Sequence, residues 1–167
     1  STTIRMLLGL IKPTKGSVEI FGKDLTKHRM EILSKVGSLV ETPSYYGHLT
    51  GYENLEAARR LLGVPEKRIA EVLNIVRLTK AADKKVKKYS LGMKQRLGIA
   101  TALLVQPKLL ILDEPTNGLD PAGIQEIREL IKSMPKQHNM TIIVSSHLLS
   151  EIEQMADQVG IINKGEL

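Results

Sequence analysis

Leu109-Leu110-Ile111-Leu112-Asp113-Glu114-Pro115-Thr116-Asn117-Gly118-Leu119-Asp120 is an apolar run that stops at two neighbouring carboxylates and passes into a tight turn. Four consecutive aliphatic residues mark a strand buried on both faces, as in the middle of a parallel sheet, and such a strand ends at a ligand crevice. Adjacent residues on an extended chain point to different sides. Asp113 can therefore face a magnesium shell while Glu114 reaches a water attacking a phosphate. The plainer alternative is a strand followed by a solvated acidic turn. Downstream, Asp120 is placed to cap a helix whose first residue is Pro121, which plain structure would also explain.

A second apolar run, Met140 to Val144, ends at Ser145-Ser146-His147. In a parallel sheet this puts His147 at the same edge as Asp113 and Glu114, where an imidazole could touch a terminal phosphate. A lone histidine is usually incidental; its place beside two acids is what singles it out. Upstream, Tyr89-Ser90-Leu91-Gly92-Met93-Lys94-Gln95-Arg96 opens an amphipathic helix with a serine and a glycine. The free amides and dipole of a helix N-terminus favour phosphate, and glycine permits close backbone approach, although a simple Ser-capped helix reads the same way.

The rest of the chain surrounds these motifs with alternating elements. Its 167 residues allow one ordinary domain and no second. Helices are expected over residues 2–11, 27–34, 54–62, 65–76, 91–104, 121–133 and 149–156, with strands over 18–21, 36–40, 109–112, 141–145 and 159–162. Thr50 and Glu53 have the spacing of a capping box, and Gly63 closes the helix that they open. The alternation argues for a mainly parallel sheet with helical crossovers, interrupted by a helical block in mid-chain. No apolar run approaches the ~20 residues needed to cross a bilayer, so the chain is expected to be soluble by itself. Cysteine is absent, which excludes disulfides and cysteine metal sites. The formal charge of +6 raises nucleic acid or anionic lipid as partners. Its one concentration, Lys80, Lys84, Lys85, Lys87 and Lys88, has little aromatic interleaving and reads first as a solvated face.

Together these residues resemble the nucleotide-binding domain of the ATP-binding cassette (ABC) ATPases, over essentially the whole chain. Ser1-Thr2-Thr3 is similar to the tail of the phosphate loop G-x-x-G-x-G-K-[ST]-T, Tyr89 to Met93 to the signature LSGGQ, and LLILDEP to Walker B. Asn117 to Asp120 resembles the D-loop, and His147 the switch histidine. The spacing from Ser1 to Ser90 leaves no room for the long coiled-coil insertion of chromosome-maintenance ATPases on the same core. The resemblance implies an α/β fold of the P-loop NTPase type with an inserted helical subdomain. The ATPase core is expected over about 1–45 and 105–167, and the subdomain over about 46–104.

The resemblance also implies a head-to-tail dimer in which each ATP lies between the phosphate loop of one domain and the signature of the other. Ser1 would ligate Mg2+, Thr2 would help hold the phosphates, and Asp113 would hold Mg2+ through water. Glu114 would polarise the attacking water, His147 would contact the γ-phosphate, and Asp120 would link the two sites. Ser90 and Gly92 would bind the partner's γ-phosphate. A separate integral membrane permease would hold the protein at the cytoplasmic face of the membrane, with no nucleic acid expected.

Three departures qualify this. The glycines and lysine expected before Ser1 are not among these residues, so the chain is expected to bind ATP poorly, which submicromolar affinity in calorimetry would contradict. Ser1 is not a start Met and Leu167 follows the turn-like Asn163-Lys164-Gly165, so the chain reads as truncated at both ends. The signature carries Leu91 for a glycine and Met93 for the glutamine, yet keeps Ser90 and Gly92. Glu41 stands where the family usually has a glutamine joining Mg2+ to the membrane-domain contact, and remains a candidate metal ligand. Residues 41–46, with the YSLGM variant, resemble the ATPases of bacitracin- and lantibiotic-type peptide exporters. Tyr45, Tyr46, Leu49 and Tyr52 are then candidates for permease contact or for packing within the helical block. The competing expectations are a soluble ABC ATPase acting on ribosomes or nucleic acid and an inert regulatory module.

Overall fold

A computed structural model describes residues 2–40, 44–163 and 166. Ser1 and Glu41, both expected to bind metal and nucleotide, lie outside the described residues.

The run at Leu109 forms β4 (Leu109–Asp113), and every residue in it is buried. It is the middle strand of a parallel sheet, between β3 (Val36–Leu39) and β5 (Thr141–Ser145). Successive side chains of a strand face opposite ways, and β4 uses both faces. Leu109 and Ile111 join Ile4, Leu8, Ile20 and Ile32 on one side. Leu110 and Leu112 join the larger core on the other, with Leu97, Leu103, Ile127 and Ile131.

The smaller core is closed by α1 (Thr2–Leu7), the hairpin β1 (Glu19–Ile20) and β2 (Lys23–Asp24), and α2 (Arg29–Leu33). The helix expected over residues 2–11 ends early because Gly9 adopts φ +65° and the amides of Gly9 and Leu10 fold back onto the carbonyls of Met6 and Arg5. The strand expected over 18–21 becomes one arm of the hairpin, turned by Phe21 and Gly22, both at positive φ.

The crossover from β3 to β4 is the helical block: α3 (Gly51–Leu62), α4 (Lys67–Ile75) and α5 (Leu91–Leu103). Both halves of the capping box form at Thr50 and Glu53, and Gly63 closes α3 in the left-handed region. Arg68 is buried and donates to the carbonyls of Leu103 (2.7 Å) and Leu104 (3.2 Å), so α4 supplies the donors that the last turn of α5 lacks. Tyr89 packs in the same core, where its hydroxyl donates to the Ala81 carbonyl. Burial, more than nearby Asp83, raises its pKa.

The second crossover, α6 (Pro121–His138), runs past the expected end at residue 133 and through Pro135. A proline costs a helix one backbone bond and a clash with the preceding turn. Here Leu130, Ile131 and Met134 are all buried in the core, and their burial holds the last turn until Asn139 closes it at φ +49°.

After α7 (Leu149–Ile152) the chain departs from expectation. No strand forms over 159–162; Ile161 is 67% exposed, and the Asn163–Glu166 bridge folds the segment upon itself. An apolar run becomes a strand only where a neighbouring ladder receives its amides, and this segment pairs with none of the three sheet strands.

Candidate functional site

Parallel strands that run in register deliver their last residues to one edge. Asp113 pairs with Ser145, so the residues that follow, Glu114 and His147, emerge side by side. The Ser145 hydroxyl donates to Asp113 Oδ1 at 2.5 Å. The Glu114 amide donates to both the carbonyl (3.2 Å) and the hydroxyl (3.1 Å) of Ser145. Glu114 itself sits at φ +51°, a strained value for a residue with a Cβ. That bend turns the chain out of the sheet. Its carboxylate Oε2 lies 2.9 Å from His147 Nδ1, with the imidazole largely open to solvent. Asp113, by contrast, is 5% exposed.

The structure thus brings Asp113, Glu114 and His147 into one cluster and adds Ser145, which sequence reasoning passed over. The signal was present, since Ser145 ends the second apolar run in register with Asp113. Among the described residues no three His, Cys, Asp or Glu side chains are grouped to hold a metal. The buried carboxylate of Asp113 instead fits an ion held mainly by a bound phosphate and water, the usual mode of Mg2+.

The loop between β4 and α6 is closed by two backbone bonds, from Asn117 to Glu114 and from Leu119 to Thr116. Asp120 caps α6, accepting from the Gly123 amide at 3.2 Å. Ser90 does the same for α5, accepting from the Met93 amide at 3.2 Å. Ser90 is exposed at this helix N-terminus, and its hydroxyl, while accepting there, keeps a proton that it can donate. These two helix starts lie close together. A side chain at Gly118 would meet Leu91 Cδ2 at 3.3 Å, and one at Gly92 would meet Leu119 Cδ2 at 3.9 Å. Thr2 is the first residue of α1 and is exposed.

A groove of about 660 Å3 lies elsewhere, between β3 and α3, lined by Val40, Tyr45, Tyr46, Asn54, Ala58 and Leu61 among others. Of the four candidate contact residues, Tyr45 packs on the larger core, and its hydroxyl donates to the Lys94 carbonyl. Burial pushes its phenol pKa up. Tyr52 packs there too and donates to Glu66 at 3.0 Å, while Leu49 is half-buried and its carbonyl accepts from the Val86 amide. Tyr46 is 61% exposed. Among the described residues, no helix is long and apolar enough to cross a membrane.

The family model that matches this chain is described as "ABC transporter" and covers residues 1–117. The chain is 60% identical over its whole length to a bacitracin transport ATP-binding protein, BcrA, of Bacillus licheniformis, of which it spans 55%. It is 48% identical to a lantibiotic transport ATP-binding protein, SrtF, of Streptococcus pyogenes, of which it spans 71%. Among solved structures, cbiO1 of Clostridium perfringens, part of the ABC transporter complex cbiONQ, superposes with a TM-score of 0.84 at 30% identity. That superposition covers 93% of this chain and 65% of cbiO1. The chain therefore spans about half the length of the bacitracin-type relatives it matches.

Proposed function

Because the chain belongs to the ABC transporter family, we propose that it forms much of an ATP-binding, ATP-hydrolysing subunit that powers export through a separate membrane permease. The observation that carries this reading is the pairing of Glu114 with His147 at the ends of β4 and β5, beside the buried carboxylate of Asp113. Likeness to bacitracin and lantibiotic transport proteins supports a peptide antibiotic as the exported substrate. It favours the transporter over an ATPase acting on ribosomes or nucleic acid. The protein would then lie at the cytoplasmic face of the membrane, held there by the permease.

In this reading Asp113 serves Mg2+, which neutralises charge on the phosphates when bound. Glu114 polarises the attacking water. His147 has two tasks that its ring nitrogens divide. With Nδ1–H donating to Glu114, Nε2 carries a proton only in the imidazolium, and that form would bind an anionic γ-phosphate. Positioning and charge, with no covalent intermediate, are what phosphoryl transfer needs.

The hydroxyl of Ser90 and the first turn of α5, with Gly92 in it, would complete the site of a second, head-to-tail subunit. Asp120 would sit at the junction between the two sites. Leu91 and Met93 leave those contacts intact, so the signature is a working variant. In the full-length protein, Ser90→Arg should lower steady-state ATP turnover at least tenfold, because a bulky cation then fills the phosphate-facing turn. Turnover unchanged by that substitution would contradict the assignment. The 167 residues contain no glycine-rich loop with a lysine. By themselves they are expected to hold ATP weakly and to turn over little of it.

The helical block, over about residues 46–104, would transmit closure to the permease through the groove beside β3. Tyr46 is the residue best placed for contact, since its neighbours Tyr45 and Tyr52 are engaged internally. Tyr46→Ala should uncouple transport from hydrolysis, with basal ATPase within about twofold of wild type. Equal loss of both activities would assign Tyr46 to folding instead.

A further inference from the structure

Two of the few polar side chains buried in this protein are not used by the chemistry above, and they touch each other. Thr116 is 4% exposed and Glu151 is 6% exposed, and the threonine hydroxyl donates to Glu151 Oε2. Burying a carboxylate is costly unless it is hydrogen-bonded, and a contact of this kind needs a reason.

The reason lies in what the two residues join. Thr116 is two residues beyond Glu114 in the loop that leads to Asp120. Glu151 lies on α7, one helical turn beyond His147. Apart from the contact of His147 with Glu114, the segment between β5 and α7 carries local bonds: the Leu148 amide to Ser146 Oγ at 3.0 Å, and the Glu151 and Ile152 amides to the Leu148 carbonyl at 3.1 and 3.4 Å. Nothing in that short segment fixes where α7 itself stands. The bond from Thr116, in the loop that follows β4, ties α7 to the end of the neighbouring strand, alongside the contacts that the residues after α7 make with the larger core and α6.

We propose that Glu151 is a positioning residue for the site, acting through Thr116 to hold the His147 segment at the distance where the imidazole meets Glu114. This rests on the reading of Glu114 and His147 as the hydrolytic pair. The geometry is a closed circuit. Glu114 leads to Thr116 along the chain, Thr116 to Glu151 by the buried bond, Glu151 back to His147 through α7, and His147 to Glu114 across 2.9 Å. Opening the buried link leaves the outer pair joined only by a solvent-exposed contact. The residues just beyond α7 keep other partners, since Met155 packs on the larger core and Gln154 accepts from Arg128 of α6.

The test is made on the full-length protein as its gene encodes it. Glu151→Ala and Thr116→Val should each lower kcat at least fivefold while leaving KM for ATP within twofold. The double variant should be no worse than either single one. Thr116→Ser restores the hydroxyl and should recover kcat to within twofold. Amide exchange at Leu148 should quicken in Glu151→Ala, whatever the activity. Wild-type kcat in Glu151→Ala overturns the proposal. So does a double variant that multiplies the two losses, or a serine variant as poor as the valine one. If wild type hydrolyses no ATP, the ATPase reading has failed, and Leu148 exchange still reports on the link. Unchanged exchange there refutes the positioning role itself.

Discussion

Glu114→Gln in the full-length protein is expected to lower ATP turnover by about 10²–10⁴-fold, the range for removing a general base, with nucleotide binding changed by no more than a few-fold. Glutamine keeps the length of the side chain and an oxygen that can accept from His147 Nδ1, so the 2.9 Å pairing survives. It loses the charge that polarises water and the capacity to take its proton. Backbone strain at φ +51° is the same for both residues, and the two bonds from the Glu114 amide to Ser145 are untouched. Any loss therefore falls on the chemical step. Single-turnover hydrolysis alongside equilibrium ATP binding separates the two terms, and turnover within threefold of wild type would remove Glu114 from the mechanism.

Gly37→Ala is expected to destabilise the fold by about 3 kcal/mol, at the upper end of ordinary overpacking costs. Gly37 is the second residue of β3, paired with Leu110 and buried beneath α5. A methyl group there would lie 2.3 Å from the Ala102 carbonyl oxygen and 3.0 Å from the Pro107 ring. The first is a backbone atom in a helix pinned at its end by Arg68, so it cannot swing aside as a flexible side chain would. Strand and helix must part, and the core between Leu39, Leu103 and Leu110 opens with them. For a domain of this size, such a loss corresponds to about 6–12 °C in Tm. Denaturant unfolding of wild type and variant measures it directly, and a difference below about 1 kcal/mol would mean that β3 and α5 yield more readily than their packing implies.

Much of the site was legible because its chemistry follows strand ends. The apolar runs at Leu109 and Met140 fixed two strands, and their ends fixed the edge where Asp113, Glu114 and His147 meet. Capping was equally plain at Thr50, Ser90 and Asp120, where a short polar side chain precedes a helical pattern by the required spacing. What escaped was whatever depends on tertiary partners. The helix expected to end at residue 133 runs on through Pro135, where the buried Met134 holds the turn. The run at Val159 looked like a strand but found no ladder to join. Thr116 and Glu151, 35 residues apart, are ordinary in sequence, and only the fold brings them together in the interior.

The close approach of Gly118 to Leu91 and of Gly92 to Leu119 has a mechanical meaning. Ser90 is exposed at the start of α5, as are Asn117, Gly118 and Asp120 in the loop that begins at Glu114, so the two lie side by side at one surface. If a second subunit presses on the first turn of α5, the displacement is delivered into the loop beside Glu114. In the proposed head-to-tail pair, each subunit would then load the other's site by the same route.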